Sequence, residues 1–347
     1  MQRIVINSRS LQSPLSGAQR YTRELMSRWN GHADPITPSE PLRGIQGHVW
    51  EQVVLPRRLK RRLLFSPSNS GPLDVGNQVL TIHDMVYFDH PETLNRLFAA
   101  WFRFLLPKLV RRVRKIVTVS QFVKERIIAR TKVDPQKIVV IPNGVSASFR
   151  PEAIGDRDRA IAQLRIPTNR YVLALGSIEP RKNLGRLLRA WSRIHNALPT
   201  DVWLVIAGAK GNPRIFRNDF VHVAPRVWFS GHVPDEILPA LCAGALVMTY
   251  PSIYEGFGLP PLEAMASGVP VVVGDCPALR ELVADAGIFV DPYDENKIAE
   301  GLIAAIEDSN IRTQLRLKGL NRARQFSWDQ TARLTWEVLR QAAEGSE

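Results

Sequence analysis

Short runs of apolar, often β-branched residues, each closed by a glycine or a polar turn, recur in two series along this chain and limit its fold more than any other feature. In the first half they are RIVI (3–6), QVLTIHD (78–84), KIVTVS (115–120) and KIVVIPNG (137–144), with helical patterns from about Gly17 to Trp29 and from Gln121. In the second they are YVLALGS (171–177), WLVIAGA (203–209), VWFSGHV (227–233), ALVMTYPS (245–252) and VPVVVGD (269–275). Runs that are apolar throughout, without alternation, suit strands buried on both faces, as a parallel sheet covered by helices requires. The polar stretch PEAIGDRDRAIAQLRIPT (151–168) reads as a linker region. At 347 residues the chain is long enough for two cores. The expected architecture is α/β, with two doubly wound, Rossmann-like domains facing a central cleft. The expected spans are 1–160, 161–328 and a closing helix over 329–347 that packs back on the first domain.

In such sheets ligands bind outside the carboxyl ends of the strands. The polar residues that follow the runs obey this rule: His83 and Asp84 after QVLTI, Glu179 to Lys182 after YVLALGS, and Glu255 after ALVMTYPS. The richest segment is PSIYEGFGLPPLEAMASGVPVVV (251–273). Gly256 and Gly258 remove side chains on either side of Phe257, so backbone N–H groups can approach a ligand closely. Pro260 and Pro261 place a helix N-terminus here, with its positive dipole end suited to an anion. Glu255 before the turn and Glu263 about one turn into the helix can accept hydrogen bonds from paired hydroxyls, as on a sugar or ribose. Singly, such glutamates serve as capping or solvated groups; together with two glycines and two prolines in register they form a ligand-facing loop.

These motifs resemble the retaining nucleotide-sugar glycosyltransferases of family 4, whose signature is a Glu, seven residues and a second Glu, as Glu255 and Glu263 stand here. The resemblance extends over TIHDMVYFDHPE (81–92), IVTVSQFVKERI (116–127), IPNGV (141–145), GSIEPRKNLGRLLRAW (176–191), SGAQRYTREL (16–25) and QFSWDQTARLTWEVL (325–339). EPRKN, YEGFGLP and FSW are most similar to the bacterial mannosyltransferase-type subgroup that assembles surface polysaccharides. The family has the GT-B fold. The resemblance implies that Arg181 and Lys182 meet the leaving diphosphate and that Glu263 binds the ribose. It implies that Glu255, with the backbone of Gly256, Phe257, Gly258 and Leu259, holds the sugar and its phosphate, and that His83 faces the sugar ring. Gly17, in the turn SPLSGAQRY (13–21), would bring backbone N–H groups to the diphosphate or acceptor. Two departures stand out. Ser177 follows Gly176 where many members carry an Arg, and Ser16, Gly17 and Ala18 replace a pattern with two adjacent glycines.

The implied function is transfer of a hexosyl unit, mannosyl from GDP-mannose, to a saccharide or lipid-linked saccharide acceptor; transfer of glucosyl or another hexosyl from a UDP-sugar stays open. No cofactor and no metal is expected. DRD at 156–158 has the spacing of a metal-binding pair but falls in the linker, and a basic clamp takes the place of a divalent ion at the diphosphate. Cys242 and Cys276 lack metal-ligand spacing. The chain has no run of about eighteen apolar residues, and its first residues do not read as a signal peptide; a cytoplasmic enzyme, peripheral on the inner face of the plasma membrane, is expected.

The formal net charge is +13, and residues 1–165 carry 27 Lys and Arg against 13 Asp and Glu. Such asymmetry points to an anionic partner of the first half. A nucleic-acid or anionic-surface binding protein is the reading from another class, but the cations are not interleaved with any recognition module. An anionic membrane surface is the expected partner, and nucleic acid is not. The motivating stretch is RLFAAWFRFLLPKLVRRVRK (96–115), where Leu97, Trp101, Phe104 and Leu105 recur at helical spacing beside Arg103, Lys108, Arg111, Arg112, Arg114 and Lys115. An epimerase or a phosphorylase would need an acid/base pair or a lysine-bound pyridoxal group, and neither is apparent.

Overall fold

The computed structural model describes residues 4–12, 17–29, 31–42, 44–59, 61–208 and 224–344. The chain forms two compact units. Unit 1 comprises Met1–Pro91, Arg96–Gly144 and Ser327–Glu347, and unit 2 comprises Glu92–Asn95 and Val145–Phe326.

In unit 1, β1 (Ile4–Asn7), β2 (Ala33–Ile36), β3 (Leu64–Ser66), β4 (Gln78–Ile82), β5 (Lys115–Thr118) and β6 (Ile138–Val140) form one sheet in the order β2-β1-β3-β4-β5-β6. Every pairing is parallel. The residues of β1, β3 and β4 are all buried, which is why their sequences are apolar without alternation. Strand β2 carries Pro35, which has no N–H for a ladder, and it lies at the sheet edge where that omission is tolerated.

In unit 2, β7 (Arg170–Leu175), β8 (Val202–Ala207), β9 (Val227–Gly231), β10 (Val247–Tyr250), β11 (Val271–Gly274) and β12 (Gly287–Val290) form a second parallel sheet in the order β12-β11-β10-β7-β8-β9. Counted within the unit this is the doubly wound order 3-2-1-4-5-6, which reverses between β7 and β10. The helix Leu184–Ile194 turns Leu184, Leu187, Leu188, Trp191 and Ile194 into the core. There they meet Val172, Leu204 and Ile206 of the sheet and Leu302 and Ile306 of the helix Glu295–Glu307. That second helix starts where the Asp294 carboxylate accepts from the Asn296 and Lys297 N–H groups.

Two expectations are corrected here. The stretch 151–168 is no bare linker: it holds a 3-10 turn, Pro151–Asp156, and a helix, Arg157–Leu164, with Ala160 and Ile161 buried. Both pack on the helix Leu238–Ala243. Arg157 lies so close that a Cβ on Gly244 would sit 2.5 Å from its Cγ. The unit boundary therefore falls at Gly144/Val145, ahead of residue 160.

The helix Trp328–Glu344 belongs to unit 1. Trp29 Nε1 donates to the Ala332 carbonyl at 3.1 Å, Thr331 Oγ1 to the Pro142 carbonyl at 2.7 Å and Arg114 Nη1 to the Ala342 carbonyl at 2.9 Å. The rings of Trp29 and Trp336 lie 5.2 Å apart. Gly144 is the tight point of this return, because a Cβ on it would lie 2.0 Å from the Trp328 nitrogen. Backbone cannot give way as a side chain tip can. Gly144→Ala is expected to cost about 1–3 kcal/mol of overpacking and to lower the melting temperature by several degrees. Gly155→Ala, where a Cβ meets nothing within 4 Å, should leave it unchanged. Calorimetric melting of both variants checks this, and equal melting temperatures would contradict it.

Candidate active site

The carboxyl ends of β7 and β10, where the second sheet reverses its order, carry a buried charged group. After β7 the chain turns through Gly176 at φ +143°, a backbone that favours glycine. The neighbouring turn after β8 packs against it, since a Cβ on Gly208 would lie 1.9 Å from the Gly176 carbonyl oxygen. A 3-10 turn, Pro180–Lys182, follows with Glu179 at its N-cap, and Asn183 in the left-handed conformation (φ 63°) leads into the helix Leu184–Ile194. Arg181 and Lys182 thus precede the helix instead of heading it. Asn183 Nδ2 donates to the carbonyls of Pro251 at 3.0 Å and Pro292 at 2.5 Å, which ties the turn to the loops after β10 and β12.

Four side chains of alternating charge meet here. Lys182 Nζ lies 2.6 Å from Glu255 Oε1 and 3.9 Å from Glu179 Oε1. Arg181 reaches Glu255 Oε2 at 3.3 Å and Glu179 Oε1 at 2.7 Å. The Tyr250 hydroxyl, at the end of β10, accepts from Lys182. Glu255 is 5% exposed. Burial pushes its carboxyl up, but Lys182 and Arg181 outweigh burial and hold it below the usual carboxylate range. A lowered pKa of this kind contributes stability at neutral pH that is lost as pH falls through the folded value. Burial, then the Glu255 charge, pushes the Tyr250 phenol well above its ordinary value, so it stays neutral. Beside the group lies a shallow depression lined in part by Gly176, Ser177, Lys182, Thr249, Tyr250 and Pro251.

The loop after Glu255 has the geometry its glycines and prolines require. Gly258, at φ +109°, is the N-cap of the helix Leu259–Ala266. A Cβ on it would lie 2.6 Å from Leu279 Cδ2. Pro260 and Pro261 bring no N–H to this end of the helix, whose positive dipole end favours an anion. Gly256 is buried and Leu259 half-buried. The Phe257 ring packs edge-on to Phe326 at 5.8 Å, so its side chain is buried packing. Glu263 is 3% exposed, on the buried side of the helix.

In unit 1, His83 follows β4 with its N–H donating to Asn69 Oδ1 at 2.6 Å. Its Nε2 lies 2.7 Å from the Pro67 carbonyl and its ring stands edge-on to Tyr21 at 4.9 Å. A carbonyl partner requires the proton on Nε2 and leaves Nδ1 as the acceptor. Burial lowers the His83 pKa against the opposing effects of the Pro67 carbonyl and Asp84, so the ring is neutral at neutral pH. Asp84 Oδ1 accepts from the Val86 N–H at 3.3 Å, as a turn residue does. Gly17 is the exposed first residue of the helix Gly17–Arg28; residues 13–16 of its turn lie outside the described residues.

Sequence reasoning missed Tyr250, which closes an apolar run and reads there as core. It also missed the hold of Glu179 on Arg181 and the role of Asn183, whose signal was the polar pair flanking PRK. At the carboxyl ends of β1 and β3, where the first sheet reverses, Glu51 is 1% exposed. It accepts from Asn7 Nδ2 at 2.6 Å, Ser70 Oγ at 2.8 Å and Arg9 Nη2 at 3.4 Å. No motif announced that cluster.

The family profile described as glycosyl transferases group 1 matches residues 156–322, and the one described as glycosyltransferase family 4 matches residues 75–149. The O-antigen chain mannosyltransferase B of Escherichia coli is 31% identical over 285 residues, 81% of this chain and 75% of that protein. The O-antigen chain mannosyltransferase RfbU of Salmonella typhimurium is 32% identical over 68% of this chain and 62% of its own length. The crystal structure of Anabaena HepE in complex with UDP and glucose superposes with a TM-score of 0.76 at 19% identity, covering 98% of this chain and all of that one. The matched residues include Arg181, Lys182, Glu255 and Glu263 in one profile and His83 in the other, and the two six-stranded parallel sheets match the fold of the solved neighbour: the chain belongs to the family 4, group 1 glycosyltransferases.

Proposed function

We propose that this protein is a retaining, metal-independent mannosyltransferase that uses GDP-mannose to extend a lipid-linked saccharide in surface polysaccharide assembly. The observation that carries the chemistry is the cluster of the half-buried Lys182 and Arg181 on the buried Glu255 at the reversal of the second sheet. Breaking the bond between the anomeric carbon and the diphosphate builds negative charge on the leaving phosphate. A point charge and a planar fork held by Glu255, three residues ahead of the Gly258 turn, oppose that charge where it grows. Glu255 orients both cations before the donor arrives and holds the sugar once they turn to the phosphate. Glu263 binds the ribose hydroxyls. The neutral His83, aligned by the Pro67 carbonyl, has in its backbone carbonyl and Nδ1 the acceptors that suit an oxocarbenium-like ring. The mannosyl assignment is supported by the two O-antigen mannosyltransferases. Calorimetric titration with GDP, UDP and dTDP tests the nucleotide, and the proposal expects GDP to bind tightest.

Lys182→Ala is expected to lower kcat about a hundredfold while KM for the donor changes much less, because one lost transition-state donor costs about 3 kcal/mol. An unchanged kcat with only KM raised would contradict it.

Glu263→Ala should weaken binding of the free nucleotide. Glu255→Gln should retain or tighten it while abolishing transfer, since the exchange releases two cations for the diphosphate. Identical nucleotide affinities in the wild type and the Glu263 variant would overturn this division of roles. Exhaustive treatment with a chelator should leave the transfer rate unchanged, and restoration of a lost rate by Mg²⁺ or Mn²⁺ would refute metal independence.

A further inference from the structure

Among the described residues nine large hydrophobic side chains are exposed, and five of them, Ile45, Val49, Val53, Leu97 and Phe104, fall on two helical segments of unit 1. The first segment is continuous from Ile45 to Arg58, with a π turn at Trp50–Val54 between two α-helical turns. Its four-residue steps would drift around a regular α-helix, but the wider π turn offsets that drift and keeps Val53 in line with Ile45 and Val49. The same line ends in the exposed Arg57.

The second segment is the helix Arg96–Arg112. It corrects the sequence expectation: Leu105 is fully buried in the core, whereas Leu97 is 83% and Phe104 51% exposed. Trp101 is half-buried between them. This line too turns basic, through Lys108, whose Nζ lies 3.4 Å from the Phe104 ring centroid, and Arg111. Arg112, Arg114 and Lys115 are engaged with Asp74, the Ala342 carbonyl and the Gln136 carbonyl. The two segments touch, because the His48 ring lies 5.4 Å from Trp101 and 6.0 Å from Phe102.

Each segment therefore exposes an apolar line that ends in cations, and unit 1 holds most of the chain's positive surplus. We propose that these two helical faces form one docking surface for an anionic lipid bilayer. Ile45, Val49, Val53, Leu97 and Phe104 enter the boundary between headgroups and acyl chains, and Arg57, Arg58, Arg103, Lys108 and Arg111 lie on the phosphates. Charge selects the occupant: a second copy of this chain would bring a like-charged face to the same place. The proposal deepens the reading of a lipid-linked acceptor, yet it stands on surface residues outside the donor group.

Sedimentation of the full chain with phosphatidylglycerol-containing vesicles and with phosphatidylcholine vesicles tests it. Binding is expected only to the anionic vesicles and is expected to fall with salt. Each of Arg57→Gln, Arg103→Gln, Lys108→Gln and Arg111→Gln should weaken it about fivefold. Ile45→Ser, Val49→Ser and Val53→Ser combined, or Leu97→Ser with Phe104→Ser, should weaken it more than tenfold. Ile154→Ser with Leu317→Ser, exposed residues of unit 2, should bind as wild type. Donor hydrolysis should persist in all of these variants, so docking and catalysis fail separately. No sedimentation at low salt, full binding by either apolar variant, or a lipid-free dimer abolished by the same substitutions would overturn the proposal.

Discussion

A parallel sheet that is wound in both directions has to reverse once, and at the reversal two neighbouring strands send their helices to opposite faces. The carboxyl ends there are left uncovered by either helix. In this chain both sheets place a nearly buried glutamate at that point, Glu51 held by one cation and two neutral donors and Glu255 by two cations. Glu51 sits with Arg9, Asn7 and Ser70 where β1 adjoins β3, and Glu255 sits with Lys182 and Arg181 where β7 adjoins β10. The topology fixes where polar groups can converge, and the loop sequences decide which.

A buried ion pair is costly to assemble, because each charge leaves water, and removing one partner typically costs about 3–5 kcal/mol. The unit 2 group meets that cost by alternating two acids with two bases around one small volume. In this arrangement the two carboxylates offset the charge of both cations. Asn183 and Gly258 limit how far the surrounding loops relax, one through two backbone carbonyls and the other through its tight fit against Leu279. Positioned charge in a low-dielectric recess acts more strongly than in water, which is the advantage of accepting the desolvation.

Much of this was legible in the sequence because the informative residues have few alternative uses. Two prolines after a glycine mark a helix start, and all-apolar runs mark a two-sided parallel sheet, so the loop at 255–263 and the two βα series were readable. Strands β2, β3 and β12 were not, since ADPI, LFS and GIFV are too short or too interrupted for periodicity to show. The segment 151–164 was misread because Ala160 and Ile161 are its only buried apolar anchors and most of its charges face outward. Tyr250 was invisible for the opposite reason, being one more bulky residue in a buried run. Gly47, Pro56 and the adjoining valines hid the Ile45–Arg58 helix, because its π turn breaks the usual spacing.

The helix that begins at Trp328 has a consequence for how the protein comes into being. Most of unit 1 precedes Val145–Phe326 in the chain, yet Tyr21 and Trp29 acquire their neighbours Trp328 and Trp336 only after all of that stretch has been made. On the ribosome, where folding proceeds as the chain emerges, unit 2 has all of its strands while the first sheet still lacks one of its covering layers. The nascent chain therefore carries an uncovered aromatic surface while Val145–Phe326 is made, and premature termination anywhere in that stretch would release a fragment with that surface bare.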